Sequence, residues 1–169
     1  MTVNKMSTGE PVFPLFFRLA TAADRPRLIS LINAAFAIET FLEGTRTDDV
    51  RLAGMMQKGE ILTAEDGSGQ LIGCIYLEVL GKRGYLGQLA VDPVQQRRHI
   101  GRQILDAAEE HLRREGCDAV DIKVLSLRPE LPPIYRRFGY LETGTEEFLA
   151  MRALEPGAEC HCIVMSKSL

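Results

Sequence analysis

The chain has 169 residues, of which 46% are hydrophobic and 25% charged, a balance typical of a globular domain rather than of fibrous or disordered chains. The formal net charge of −3 gives no global attraction for nucleic acid, and the apolar runs are too short and too interrupted by charge to span a membrane. We therefore expect a flexible N-terminal arm over residues 1–12, one domain over residues 13–169, and neither nucleic acid nor membrane as a partner.

The first elements predicted are a strand and two helices. The strand covers residues 13–19. The first helix has Thr21 or Asp24 as its N-cap and is followed by apolar residues at helical spacing. A second helix is capped within residues 47–49 and ends at Gly59.

Three strands follow in quick succession. They cover residues 61–65, 71–80 and 85–91, and the loops 66–69 and 81–84 that join them are short and rich in glycine. Such loops between strand-like runs are typical of antiparallel hairpins.

The last part of the chain alternates helices and strands. The longest amphipathic helix covers residues 100–115, a strand covers 119–125, and a short helix starts at Pro132. Two strands, near residues 140–148 and 160–165, complete the chain. This order predicts a mixed α/β domain with both hairpins and one crossover.

The boundary between the third hairpin strand and the long helix carries chemistry. The first backbone N–H groups of a helix lack internal partners and favour an anion, and Gln96, Arg97, Arg98 and Arg102 surround this helix start. A pyrophosphate would suit such a site, although a solvated basic rim is the alternative interpretation. The segment does not match the glycine patterns of nucleoside triphosphatases or dinucleotide-binding enzymes.

This segment, LAVDPVQQRRHIGRQIL, resembles the pyrophosphate-binding segment of the GNAT superfamily of N-acetyltransferases, whose pattern is R/Q-x-x-G-x-G/A. Gln96 takes the first position and Gly101 the last, while His99 stands where the family usually has its first glycine. Either its imidazole contacts phosphate or the loop binds more weakly. The resemblance implies that acetyl-CoA, the acetyl donor, is bound by Leu89, Ala90, Val91, Gln96, Arg97, Arg98, His99, Ile100, Gly101 and Arg102.

A second stretch, PPIYRRFGY, is similar to the Y-x-x-x-G-F/Y motif of the same family, with Tyr135, Gly139 and Tyr140 in place. The resemblance implies that Tyr135 protonates the departing thiolate; the alternative is a half-buried tyrosine that anchors the short helix. The resemblance to the family extends over residues 16–165. It implies a GNAT-like acyl-CoA N-acyltransferase fold, in which about four helices flank a twisted, mostly antiparallel sheet of six to seven strands.

The family's mechanism is direct attack of an amine on the acetyl thioester in a ternary complex. The resemblance implies that the strand with Leu89 and Val91 splays away from the strand 119–125. The pantetheine arm then lies in the gap, and the Val91 N–H faces the developing oxyanion.

The base and the acceptor site are less strongly indicated. Glu78 could deprotonate the amine, or it could be a solvent-facing strand residue. Glu39, Phe41 and Arg46 lie between the first two helices and are candidates for substrate binding. The acidic residues there, Glu39 and Glu43, favour a small cationic acceptor, and exposed loop carboxylates are the alternative.

The cysteines bear on location. None of Cys74, Cys117, Cys160 and Cys162 forms a CxxC pair, which indicates reduced thiols, no metal site and a cytoplasmic protein.

Two functional hypotheses remain open: an acetyl-CoA-dependent N-acetyltransferase acting on an amine, or a non-catalytic acyl-CoA-binding sensor or partner module. Assembly as a homodimer through the late strands is a further hypothesis.

Overall fold

The computed structural model describes residues 14–96, 98–149 and 152–169, and the predicted arm and Arg97 lie outside these ranges. The strands are β1 (Phe16–Leu19), β2 (Glu60–Glu65), β3 (Leu71–Leu80), β4 (Arg83–Val91), β5 (Ala119–Leu125), β6 (Leu141–Glu147) and β7 (His161–Ser168). The α-helices are α1 (Arg25–Ala35), α2 (Asp49–Lys58), α3 (Ile100–Arg114) and α4 (Leu131–Arg137). The predicted order of elements and the mixed α/β class are confirmed.

The strands form one seven-stranded sheet in the order β1-β2-β3-β4-β5-β7-β6. Every neighbouring pair is antiparallel except β4 and β5, which are parallel because the chain crosses over through α3 between them. The expectation of a mostly antiparallel sheet is therefore confirmed.

Two cores lie on opposite faces of the sheet. Cys74 and Tyr76 pack with the buried residues of α1 and α2, whereas Ile75 and Leu77 pack with those of α3. This alternation follows from the two-residue period of a strand. It explains why β3 reads as a nearly continuous apolar run, since both of its faces are covered by helices.

The pairing between strands β4 and β5 ends about halfway along their length. Their ladder ends at the pair Leu86 and Ile122. Beyond it, β4 continues against β3 as far as Val91, and β5 continues against β7 as far as Leu125. The sheet therefore opens into a V, as the family resemblance implies, and the residue Gln88 just past the opening has a positive φ of 51°.

Strand β7 is longer than predicted. The expected strand ended at Met165, but the structure continues it to Ser168, where the last residues pair with the start of β5. The side chain of Ser166 also donates a hydrogen bond to Asp121 over 2.5 Å. A polar run can extend a strand when cross-strand partners satisfy it, and the apolar pattern alone does not reveal this.

No helix within the described ranges has both the length and the apolarity needed to cross a membrane.

Candidate active site

A cavity of about 810 Å³ occupies the opening between β4 and β5, and residues of α1, α3 and α4 also line it. Most of the predicted cofactor-binding residues line it: Leu89, Val91, Gln96, His99, Ile100, Gly101 and Arg102. Ala90 instead lies fully buried in the core shared with α1 and α2, and Arg98 is exposed outside the lining. Arg97 lies outside the described residues.

The backbone of β4 presents free hydrogen-bonding groups to this cavity. The N–H of Asp92 donates to the carbonyl of Ile72 on β3 over 2.8 Å. Because backbone groups alternate sides along a strand, those of Leu89 and Val91 face away from β3 and toward the opening. One of them is already engaged, since the Gln96 side chain donates to the Val91 carbonyl over 3.3 Å.

The start of α3 closes one end of the cavity. His99 is its N-cap and has φ 56° and ψ 20°, the left-handed conformation that favours glycine. This explains why the related motif usually has glycine there, and histidine is one of the residues that tolerate the conformation best. The guanidinium of Arg102 lies 4.8 Å from the ring centre of Phe138 and so joins α3 to α4.

Tyr135 lines the same cavity from α4. Its ring makes edge contacts with Phe138 and Tyr140, at centroid distances of 6.3 and 5.7 Å. Burial raises the pKa of Tyr135 to about 12. The phenol is therefore protonated at neutral pH and can donate a hydrogen bond into the cavity.

The loop after α1 contributes a linked pair of charges. Arg46 donates to Glu39 over 2.8 Å, and the Glu39 side chain is only 1% exposed. Arg46 also donates to the side chain of Gln88 over 3.0 Å and stacks on Phe36 at 4.4 Å. Among the described residues, Glu39 is the only carboxylate that lines the cavity.

The predicted base Glu78 is absent from the described residues that line this cavity. It pairs with Tyr85, in the part of β4 that is still joined to β5 and thus before the opening. Its carboxylate instead accepts a hydrogen bond from the hydroxyl of Tyr76 over 3.0 Å. Its strand register therefore places it away from the opening.

The three predicted substrate-binding residues separate into two kinds. Glu39 and Arg46 line the cavity, whereas the described lining does not include Phe41. The carbonyl of Phe41 accepts a hydrogen bond from the N–H of Glu155 over 2.9 Å, so this residue holds two loops together.

Sequence reasoning missed some lining residues. Gln88 gave no signal, because a positive φ is normally marked by glycine or asparagine. Phe36 and Lys123 carry no functional signal in the sequence either, yet both line the cavity. Within the described part of the chain, no group of three or more metal-ligating side chains is placed to hold an ion.

The sequence profile of the Acetyltransferase (GNAT) family matches residues 28–140. The chain belongs to this family. The match includes the opening of the sheet, the start of α3 and Tyr135.

Individual proteins similar to this chain include acetyltransferases compared by sequence and by structure. A mycothiol acetyltransferase of Propionibacterium freudenreichii subsp. shermanii is 27% identical over 130 residues, covering 73% of this chain and 42% of that protein. The chain thus spans less than half the length of this relative. The structure of a ribosomal-protein-alanine N-acetyltransferase from Brucella melitensis superposes with a TM-score of 0.72 at 20% identity, covering 91% of this chain and 99% of that one.

A third comparison is with a GNAT family acetyltransferase from Elizabethkingia anophelis whose structure has acetyl-CoA bound. It superposes with a TM-score of 0.70 at 17% identity and covers 92% of this chain and 98% of the other. At this level of identity the likeness establishes the shared fold.

Proposed function

We propose that this GNAT family member transfers the acetyl group of acetyl-CoA to an amine by direct attack within a ternary complex. The observation that carries the proposal is the opening between β4 and β5, where unpaired backbone groups, a helix start and a protonated tyrosine meet in one cavity. The acetyl-CoA seen in the Elizabethkingia relative, and the acetyltransferase name of the Propionibacterium relative, support it.

The residues present fit acetyl-CoA. The start of α3 offers backbone N–H groups at Ile100 and Gly101 for a pyrophosphate, with Arg102 beside them. The backbone groups of Leu89 and the N–H of Val91 face the opening and suit the amides of a pantetheine arm, which would extend the sheet like an added strand. A volume of about 810 Å³ is large enough for this arm and the acetyl group.

Acetyl-CoA, when bound, supplies the activated thioester. The Val91 N–H faces the opening and can donate to the carbonyl oxygen as it gains charge. The Tyr135 hydroxyl can give a proton or hydrogen bond to the sulfur that leaves. The apolar side chains of the lining lower the local polarity and would strengthen both interactions.

For the base we propose Glu39 rather than Glu78. Glu39 lines the cavity and its carboxylate can accept a proton from the acceptor amine, directly or through a water molecule. The hydrogen bond from Arg46 holds this carboxylate in place. Glu78 lacks such a position, since it lies before the opening of the sheet.

A melting experiment with acetyl-CoA tests the cofactor assignment. Ligand at about 100 times its dissociation constant stabilises the folded state by roughly 2.7 kcal/mol, which gives a clear upward shift. Gly101→Asp should abolish the shift because it places a carboxylate at the pyrophosphate position. Gly101→Ala is the matched control, since an added Cβ meets only Val91 at 3.9 Å. An undiminished shift in the Asp variant would refute the site.

Turnover separates this enzyme from the alternative, an acyl-CoA-binding module without activity. We expect thiol release from acetyl-CoA that depends on an added amine. Binding without thiol release across a broad panel of amines would favour the module.

We also propose a cytoplasmic location, supported by Cys74, Cys117, Cys160 and Cys162, all of which are free thiols. The homodimer stays a prediction, to be checked by light scattering.

A further inference from the structure

A second, smaller cavity of about 360 Å³ adjoins the candidate active site. Phe36, Glu39 and Arg46 line both cavities and thus form their common wall. A molecule in the smaller cavity would therefore lie next to the candidate active site. The size suits one small organic molecule.

The smaller cavity is built where two loops meet. One loop follows α1, and the other, which contains Arg152, joins β6 to β7. The N–H of Glu43 donates to the carbonyl of Ala153 over 2.9 Å, and Leu42 forms a β-bridge with Leu154. These backbone links fix Arg152 against the loop after α1.

The guanidinium of Arg152 has an unused donor in this cavity. Its Nη1 donates to the carbonyl of Gly44 over 3.2 Å, while its Nη2 is buried and has no hydrogen-bond partner among the described residues. Burial, together with the charge of Arg46, lowers the pKa of Arg152. An anion in the cavity would accept a hydrogen bond from this Nη2 and would favour the charged form of Arg152.

The charges around the cavity do not balance. Its described lining contains one acid, Glu39, and two arginines, Arg46 and Arg152. Glu39 is paired with Arg46 over 2.8 Å, so this single carboxylate is shared between two guanidinium groups and offsets the charge of Arg152 only in part. The pairing with Arg46 offsets the charge of Glu39, so the loop after α1 attracts a cationic acceptor less strongly than its acidic residues alone suggest.

We propose that Arg152 binds a carboxylate of the acceptor, which makes the substrate a small amine that also carries a carboxylate, as an α-amino acid does. The carboxylate lies at Arg152, and the amine lies toward the common wall, next to Glu39 and the opening between β4 and β5. The inference rests on the proposed function and names the class of acceptor for that site.

The test compares acceptors that differ only in charge. The probes are the standard α-amino acids and their carboxamides, each assayed for thiol release from acetyl-CoA. We expect at least one acid to exceed its amide in kcat/KM by about tenfold or more, since a charge-assisted hydrogen bond is lost in the amide. Arg152→Gln should remove this difference by lowering kcat/KM for the acid alone.

Two controls keep the result specific. Arg114→Gln removes an exposed arginine of α3 and should leave the preference for the acid intact. Affinity for acetyl-CoA should be unchanged in Arg152→Gln, because Arg152 is absent from the described lining of the larger cavity. If the unmodified protein does not bind acetyl-CoA, that result would instead count against the proposed function.

Several outcomes would overturn the proposal while leaving the acetyltransferase assignment intact. These are equal rates for acids and amides, faster reaction of the amides, or no reaction with any member of the panel by a protein that binds acetyl-CoA. A dipeptide amide with an acidic side chain that outperforms every free amino acid would move the carboxylate to a peptide substrate and refute the small-molecule assignment.

Discussion

The Nε of Arg46 donates a hydrogen bond to the side-chain oxygen of Gln88 over 3.0 Å. Gln88 is the positive-φ residue of β4 just past the point at which this strand leaves β5, and Arg46 lies on the loop after α1. One guanidinium therefore joins the loop after α1 to the strand that leaves β5. Its other arm holds the buried carboxylate of Glu39.

Arg46→Gln should destabilise the protein by about 3 kcal/mol, because it leaves the buried Glu39 carboxylate without its cation. Urea unfolding measures this loss. The double variant Glu39→Gln with Arg46→Gln removes both charges and should recover much of the stability. If Arg46→Gln were as stable as the original protein, the ion pair between Arg46 and Glu39 would not contribute to stability.

Tyr135→Phe should lower kcat by about 100-fold or more and leave acetyl-CoA affinity nearly unchanged, as expected for a proton donor to the leaving group. Tyr140→Phe is the matched control. It removes a buried hydrogen bond of 2.9 Å to Glu109, so it should reduce stability rather than kcat. Equal losses of kcat and affinity in Tyr135→Phe would contradict the acid role.

The pH profile gives an independent check on Tyr135. Its pKa is raised to about 12, so the phenol keeps its proton as pH rises through neutrality and well beyond. We expect kcat to show no fall attributable to this residue between pH 7 and 10. A decline in that range that disappears in Tyr135→Phe would show that the phenol ionises there.

His99→Gly should bind acetyl-CoA several-fold more tightly, because it removes a side chain from the phosphate approach. It should also raise stability by up to about 1 kcal/mol, since glycine adopts φ 56° without strain. His99→Ala separates the two effects, because it removes the imidazole but keeps the strain. Weaker binding in both variants would show that the imidazole itself contacts phosphate.

Asp24 should make the free energy of unfolding depend on pH in the acidic range. Hydrogen bonds from Arg18 at 2.8 and 2.9 Å, from the Thr21 N–H and from Arg27 hold its pKa well below the ordinary value. A depressed carboxyl pKa contributes stability that is present above the ordinary value, near 4, and is lost as pH falls toward the depressed one.

The comparison with Asp24→Asn tests this. At pH 7 the variant should be less stable than the original protein in urea, and the difference should shrink steadily below about pH 4. Asp49→Asn, which affects an exposed pair with Arg25, should show little difference at any pH. A gap for Asp24→Asn that stays constant with pH would contradict the assigned cause.

Local sequence patterns predicted most of the fold. The apolar stripe of α3 places Ile104, Leu105, Ala108 and Leu112 in the core, and each is at most 1% exposed. The hairpins that join β2, β3 and β4 also follow from short-range signals, since glycine-containing loops separate runs of strand-forming residues. Such elements depend on residues close in sequence and can therefore be predicted without the structure.

The candidate site was less predictable because it depends on distant residues. Its place on a strand makes Glu78 a candidate base, yet the strand register puts it before the opening. Glu39 reaches the cavity because the loop after α1 folds back onto Gln88, a contact between residues far apart in sequence. Arg152 approaches that loop from near the end of the chain, and no periodicity signals the contact.

Backbone hydrogen bonds with Glu43 and Glu155 as the N–H donors link the loop after α1 to the loop between β6 and β7, beside the side-chain hydrogen bond from Arg152 to Gly44. Any residue except proline can supply these donors. Side chains on the two loops can consequently be exchanged in a mutant library while the frame that carries them persists. Such a library would vary the lining of the smaller cavity independently of the proposed acetyl-CoA site, which makes this scaffold suitable for directed evolution.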